Sequence, residues 1–273
     1  MPSSPISEGD GMNQKPEFYA HFHPDEHTFV DQAIGWASRA ENKHEIKHTD
    51  FLDPRQQFIL TSISNRFPSL QIVFAGGYPD AERKRAWIAP DYLYVNPEET
   101  SIEVLHIASG DTKMRELEHG DYLGAILGLG IKREKIGDIH VHEDFCQVLI
   151  ASEIIQYIDI QLHQVHRVQV STEIVSASQL QPVPVQLQEM NITVASMRLD
   201  GIASDVFRMS RTKILVPIKA GRCRVNWKAE ENPSHHLQSG DVVSLKGFGR
   251  FTVLSVDGIT KKGNFRVKIG KYS

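Results

Sequence analysis

The stretch RLDGIASDVFRMSRTKILVPIKAGRCRVN, residues 198–226, carries the pattern from which the rest of the chain can be organised. Leu199, Ile202, Ala203, Val206 and Phe207 fall at i, i+3, i+4, i+7 and i+8, the spacing of a helix with one buried stripe, and Arg198 and Arg208 stand at its ends. Ser210 suits the cap of a second helix, because its hydroxyl can accept from a backbone N–H of the first turn. Arg211 and Lys213 lie in that turn, while Ile214, Leu215 and Ile218 face inward. Pro217 removes a backbone donor, so this helix is expected to be kinked or short. Gly221 then offers a left-handed stop. Short strands are expected at 223–226, 242–245, 251–256 and 265–269. In the last, Phe265, Val267 and Ile269 point one way and Arg266 and Lys268 the other.

Charge divides where this stretch begins. Residues 198–273 hold 15 Lys and Arg against 6 Asp and Glu, a balance of +9; residues 1–197 hold 15 against 28, a balance of −13, and the 273-residue chain nets −4. A polyanion would therefore be drawn to one end and repelled elsewhere. The length allows two or three domains at roughly 100 to 200 residues each. No run nears the roughly 20 apolar residues of a membrane helix, and Met1–Asp10 lacks a signal pattern, so a soluble, cytoplasmic protein without a membrane partner is expected. Cys146 and Cys223 fit neither a metal pattern nor a disulfide framework and read as ordinary core thiols.

Upstream, the first sixteen residues read as a frayed tail. Helices are expected from Pro24–Asp25 to about Glu41 and from Asp53–Pro54 to before Pro68, with Asp53 as cap, which makes 1–69 a small helical N-terminal region. From Leu70 the period changes to two. Strands at 70–74 and 86–89 are followed by a strand at 101–108, a helix at 118–127, strands at 137–142 and 145–151, a helix at 152–166 and a strand at 167–175. The β-α-β-β-α-β order predicts a ferredoxin-like or RRM-like central domain over 70–175. Residues 176–196, with Gln181-Pro182-Val183-Pro184, read as an extended connector containing a short strand at 192–195, and 197–273 as the C-terminal module. The fold class expected is α+β.

Arg198-Leu199-Asp200, Ser210-Arg211, Lys219-Ala220-Gly221, Val225-Asn226 and Gly240-Asp241, in that order and spacing, resemble the S4-type RNA-binding domain with its αL motif. In such domains two helices dock on structured RNA. Carried over by position, Arg198, Ser210, Arg211, Lys213, Arg222 and Arg224 are the implied RNA contacts, with Lys246 and Arg250 of Lys246-Gly247-Phe248-Gly249-Arg250 flanking. Asp200 would repel phosphate and is expected instead to partner an arginine. The resemblance reaches further. His21-Phe22-His23-Pro24-Asp25-Glu26, Thr49 to Gln56, Gly76-Gly77-Tyr78 with Ala81 to Arg85, and Gly120 to Leu127 look like the YlmH-like bacterial proteins. That family implies a non-catalytic role on the large ribosomal subunit: contact with ribosomal RNA and tRNA, and retention of peptidyl-tRNA in ribosome-associated quality control beside an alanine-tailing factor. A link to cell division is also implied.

Other constellations are weaker. His21, His23 and His27 invite a metal, yet no cysteine accompanies them, so neither metal nor cofactor is expected. Arg83-Lys84-Arg85 offers either a second phosphate contact or a solvated turn. The third central strand, 145–151, lacks the basic-glycine-aromatic pattern that stacks bases, so single-strand readout through that sheet is not expected. Gly120, Gly124, Gly128 and Gly130 lack a following Lys-Ser or Lys-Thr and are expected to serve close helix-on-sheet packing. A pseudouridine-synthase-like enzyme is the alternative, but in those enzymes a catalytic domain follows the S4-type module, and no nucleophile, base and oxyanion donor assemble from the sequence. A cell-division adaptor that binds protein through the acidic part is the other alternative.

Overall fold

The computed structural model describes residues 17–96, 101–111, 113 and 116–272; the tail expected at 1–16 lies outside them. Near the N-terminus, α1 (His27–Lys43) and α2 (Pro54–Ser64) bury stripes spaced three or four residues apart: Val30, Ala33, Ala37 and Ala40 on α1, and Ile59, Leu60 and Ile63 on α2. Asp53 caps α2, its carboxylate accepting from Gln56 N at 2.8 Å while Gln56 Oε1 accepts from Asp53 N at 2.9 Å. These helices pack on an antiparallel sheet of β1 (Lys47–His48), β2 (Leu70–Ala75) and β3 (Arg85–Pro90), in the order β1-β3-β2. The strands expected to open the central domain thus pair with each other and with β1.

The central sheet comprises β4 (Ile102–Ala108), β5 (Ile136–Val141), β6 (Phe145–Ala151) and β9 (Ser171–Val175), in the antiparallel order β5-β6-β4-β9. α3 (His119–Gly128) and α4 (Ser152–Gln161) cover one face, where Tyr122, Ile126, Ile155 and Ile158 meet Leu105, Ile107, Cys146, Val148 and Ile150. The element order is the β-α-β-β-α-β read from the sequence. Two details differ. α4 stops at Gln161, and a small hairpin of β7 (Gln164–Val165) and β8 (Val168–Gln169) follows, turned by His166 at a φ of 51°. The glycines at 120, 124, 128 and 130 do not serve close packing, since a Cβ on any of them would meet nothing within 4 Å. Among the glycines that do are Gly77, where a Cβ would lie 2.3 Å from Leu149 Cδ2, and Gly137, where it would lie 2.8 Å from the Phe51 ring.

These glycines mark the seam between the N-terminal and central sheets, which polar groups also close. Arg85 is 1% exposed and donates to Thr49 O at 2.8 Å, Ser101 O at 2.7 Å and Glu153 at 3.1 Å. Arg83 donates to Phe51 O and Ile136 O, both at 3.0 Å. The Asp138 carboxylate accepts from Tyr78 OH at 2.9 Å, Glu82 N at 2.7 Å and Arg83 N at 3.1 Å. Arg83 and Arg85 are therefore internal fasteners, neither phosphate contacts nor a solvated turn.

The connector is ordered. Its first part crosses the helix-free face of the central sheet: Gln147 Nε2 donates to Gln179 O at 2.9 Å, and Gln181 N donates back to Gln147 Oε1 at 2.7 Å. Val183 N donates to His140 Nδ1 at 3.2 Å, and His142 Nε2 pairs with Gln181 O at 3.0 Å. Its second part becomes β10 (Leu187–Val194), longer than the strand expected and an edge of the C-terminal sheet. That sheet adds β11 (Cys223–Val225), β12 (Lys228–Ala229), β13 (Val242–Leu245), β14 (Gly249–Ile259) and β15 (Phe265–Tyr272), in the order β10-β15-β14-β13-β11-β12. α5 (Leu199–Val206) and α6 (Arg211–Pro217) pack on one face, with Leu199, Ile202, Val206 and Ile214 against Val243, Phe251, Val253 and Ile269. Burying each such α5 side chain contributes about 1.5–3 kcal/mol. α6 has seven residues and passes at Pro217 into a wider turn, in which Gly221 adopts a φ of 67°. The protein is α+β throughout.

Candidate nucleic-acid interface

α5 begins with Arg198 in extended backbone, and the carbonyl oxygens of a facing loop take up its free N–H groups: Leu199 N donates to His235 O at 2.8 Å and Asp200 N to Pro233 O at 3.0 Å. The Arg198 guanidinium grips Asp200 with two hydrogen bonds of 3.0 and 2.8 Å, and Asp200 also accepts from Gly201 N at 2.8 Å. The bond from Arg198 holds the buried Asp200 carboxyl below its ordinary range, against the opposing effect of burial. Asp200 thus partners an arginine, and that arginine is one of the implied RNA contacts; its side chain stays 41% exposed.

α6 brings the next group alongside. Ser210 caps it, its hydroxyl accepting from Lys213 N at 3.3 Å. Arg211 extends over the first turn of α5, where a Cβ on Gly201 would lie 3.4 Å from the Arg211 guanidinium, and its charge adds to the lowering at Asp200. Arg198 and Arg211 therefore flank one carboxylate. Arg211 and Lys213 are exposed, and neither forms a salt bridge among the described residues. Arg222 and Lys246 are exposed neighbours too, joined by Lys246 N donating to Arg222 O at 3.0 Å. These six residues belong to the helix pair and the strand ends beside it.

The other two lie elsewhere. Arg224, Ser244 and Arg250 stand in register across β11, β13 and β14, alternating with the buried Cys223, Val225, Val243 and Phe251, so they occupy the sheet face opposite the helices. That face turns toward the N-terminal helices. Arg250 donates to Glu82 at 2.7 Å and lies over the Tyr272 ring at 4.2 Å. Arg224 donates to Trp227 O at 2.9 Å and, with Trp227 and Ala229, walls a cavity of about 230 Å3 whose far side carries Asp25, Glu26, Asp53 and Arg55. Arg224 and Arg250 are thus engaged within the molecule.

The histidines near the N-terminus have local duties: His23 Nδ1 accepts from Asp25 N at 3.4 Å, and His27 packs edge-on to Tyr19 with ring centroids 5.2 Å apart. Burial pushes the Cys223 thiol up to about 12 and the Cys146 thiol higher still, so neither is a thiolate near neutral pH.

The fold and site define a class: an α+β protein in which a basic pair of short helices, set on a six-stranded sheet, is carried by an acidic two-sheet platform. Residues 96–179 match the family model described as "Putative RNA-binding domain in YlmH", and residues 25–93 match "YlmH, N-terminal". The chain is 37% identical over 251 residues to the Bacillus subtilis (strain 168) "Ribosome-associated protein quality control protein P2", covering 92% of this chain and 97% of that one. The chain belongs to the YlmH family. Among solved structures, "Cell division protein ylmH from Streptococcus pneumoniae" is 24% identical and superposes with a TM-score of 0.52, covering 58% of this chain and 96% of that one, a likeness of fold.

Proposed function

We propose that this protein is a non-catalytic, ribosome-associated RNA-binding protein of the cytoplasm, and that its C-terminal unit is an S4-type module. On this reading the module docks on large-subunit ribosomal RNA and tRNA backbone, and the protein holds peptidyl-tRNA during ribosome-associated quality control beside an alanine-tailing factor. The observation that carries the reading is the charge division: a C-terminal part at +9, with Arg198, Arg211, Lys213, Arg222 and Lys246 on or beside one helix pair, against −13 in the rest. The name of the Bacillus relative supports the ribosomal setting. The two buried, protonated thiols support a binding role over a thiol-based reaction.

Co-sedimentation with purified large subunits across a salt series tests it. Replacing Arg211 and Lys213 together by Ala should weaken binding and lower the slope of log K against log salt by about 2, near one for each phosphate no longer neutralised. An unchanged slope would overturn the assignment of this face.

A further inference from the structure

The helix-facing side of the C-terminal sheet is apolar along β10 and β15 until its last rung. Val194 pairs with Phe265, Ile192 with Val267 and Met190 with Ile269, all within or against the module's core. The next rung on the same face is Gln188 with Lys271, an amide and a cation where the alternation calls for apolar side chains. α5 ends at Val206, and a cavity of about 390 Å3 opens beside this rung, walled by Gln188, Glu189, Met190, Phe207, Arg208 and Lys271. The Phe207 ring is set by Phe251 and Phe248, with centroids 5.7 and 6.2 Å away. Arg208 is exposed at a φ of 52°, immediately after the helix cap, where glycine is the usual residue. Glu189 is taken by Lys268 at 2.8 Å, whereas neither Arg208 nor Lys271 has a carboxylate partner among the described residues.

An apolar wall with an aromatic ring, an amide and two uncompensated cations is the chemistry that receives an unpaired nucleotide. We infer that this cavity binds one unpaired nucleotide of a bound RNA: its base against Phe207 and Met190, its edge toward Gln188, and its phosphate between Arg208 and Lys271. The inference rests on the RNA-binding reading and adds to it a site apart from the Arg198–Arg211 face. The volume agrees, since sites for small ligands begin at about 300 Å3. An acidic peptide could meet the same cations, but the flat ring and the amide favour a base.

The site predicts opposite effects on stability and binding. Arg208→Gly relieves a left-handed backbone, and Lys271→Met restores the apolar alternation, so the double variant of the full chain should melt at or above the wild-type temperature. A single-stranded RNA heptamer with one central 2-aminopurine is the probe. The wild type should change the 2-aminopurine emission on binding; R208G/K271M should abolish that change and raise Kd at least tenfold. The variant K261A/K262A removes two charges from the β14–β15 turn and should keep the emission change. No emission change with the wild type, equal loss in both variants, or an unaltered R208G/K271M would each overturn the inference, as would tighter binding of an acidic peptide than of the heptamer. Loss of subunit binding by R211A/K213A with heptamer binding intact in R208G/K271M would sink the cavity while leaving the RNA-binding reading standing. Wild-type protein that binds neither heptamer nor subunits would sink both.

Discussion

Replacing Arg85 by Met should destabilise the protein by about 3 kcal/mol. Arg85 is buried between the N-terminal and central sheets, and its loss strips donors from Thr49 O and Ser101 O and a partner from Glu153. Breaking a buried pair by removing one member costs about 3–5 kcal/mol, and each buried acceptor left unmade about 1–3. The lower end applies because Glu153 is 41% exposed and keeps Lys135 at 2.7 Å. Methionine fills most of the vacated volume, so little is added by a cavity. At about 2–4 °C per kcal/mol for a chain of this size, the midpoint should fall roughly 6–12 °C. Thermal and urea unfolding followed through tryptophan emission measure it, Trp87 being next but one to Arg85. The pH dependence adds a second reading. Burial alone would raise the Glu153 carboxyl, but hydrogen bonds from Lys135, the backbone and Arg85 outweigh it and bring the group from 4.5 to about 2. Its stabilising contribution is thus present above about 4.5 and lost as pH falls toward 2, and the variant should show a shallower acid loss. A loss under about 1 kcal/mol, with an unaltered acid limb, would refute the view that Arg85 fastens the two sheets.

Gly77→Ala should cost about 2–4 kcal/mol in urea unfolding, because φ is +88° and the new methyl would sit 2.3 Å from Leu149 Cδ2; a change below about 1 kcal/mol would show that the seam yields. Glu82→Gln should free Arg250 and tighten binding to large subunits by about 1.4- to fivefold, from a surface pair worth about 0.2–1 kcal/mol, whereas equal affinity would place Arg250 outside the RNA contact.

The sequence was most legible where a pattern is local. The α5 stripe, the Ser210 cap and the Asp53 cap each lie within one or two turns, and each forms as the spacing requires. The central element order was legible for the same reason. What escaped depends on partners distant in the chain. Arg83-Lys84-Arg85 has the composition of a phosphate contact, and only Thr49, Ser101 and Glu153, brought together by folding, make Arg85 internal. β10 exceeds the short strand expected at 192–195 because Gln188, Glu189, Asn191 and Thr193 mask the Met190, Ile192, Val194 alternation, and its pairing partner begins at Phe265. Arg224 and Arg250 share the basic composition of the helix face; sheet register alone sends them to the opposite side. The glycines of α3 show the converse, since a regular spacing meets no neighbour at all.

The connector over the central sheet settles how far the basic helices can travel. A free tether of its length would let its ends wander by about 25 Å, from the roughly 5–6 Å per square root of residue number of a flexible chain. Gln147, His140 and His142 instead fix it through Val183, which leaves only the short run to Leu187 before β10 begins. The helix pair is thus mounted like a tool on a short shank, and its aim is set by the same sheet face that an RRM would offer to bases. Occupied by the protein's own backbone, that face acts as a bearing surface, and a tilt of the platform becomes a tilt of the basic helices.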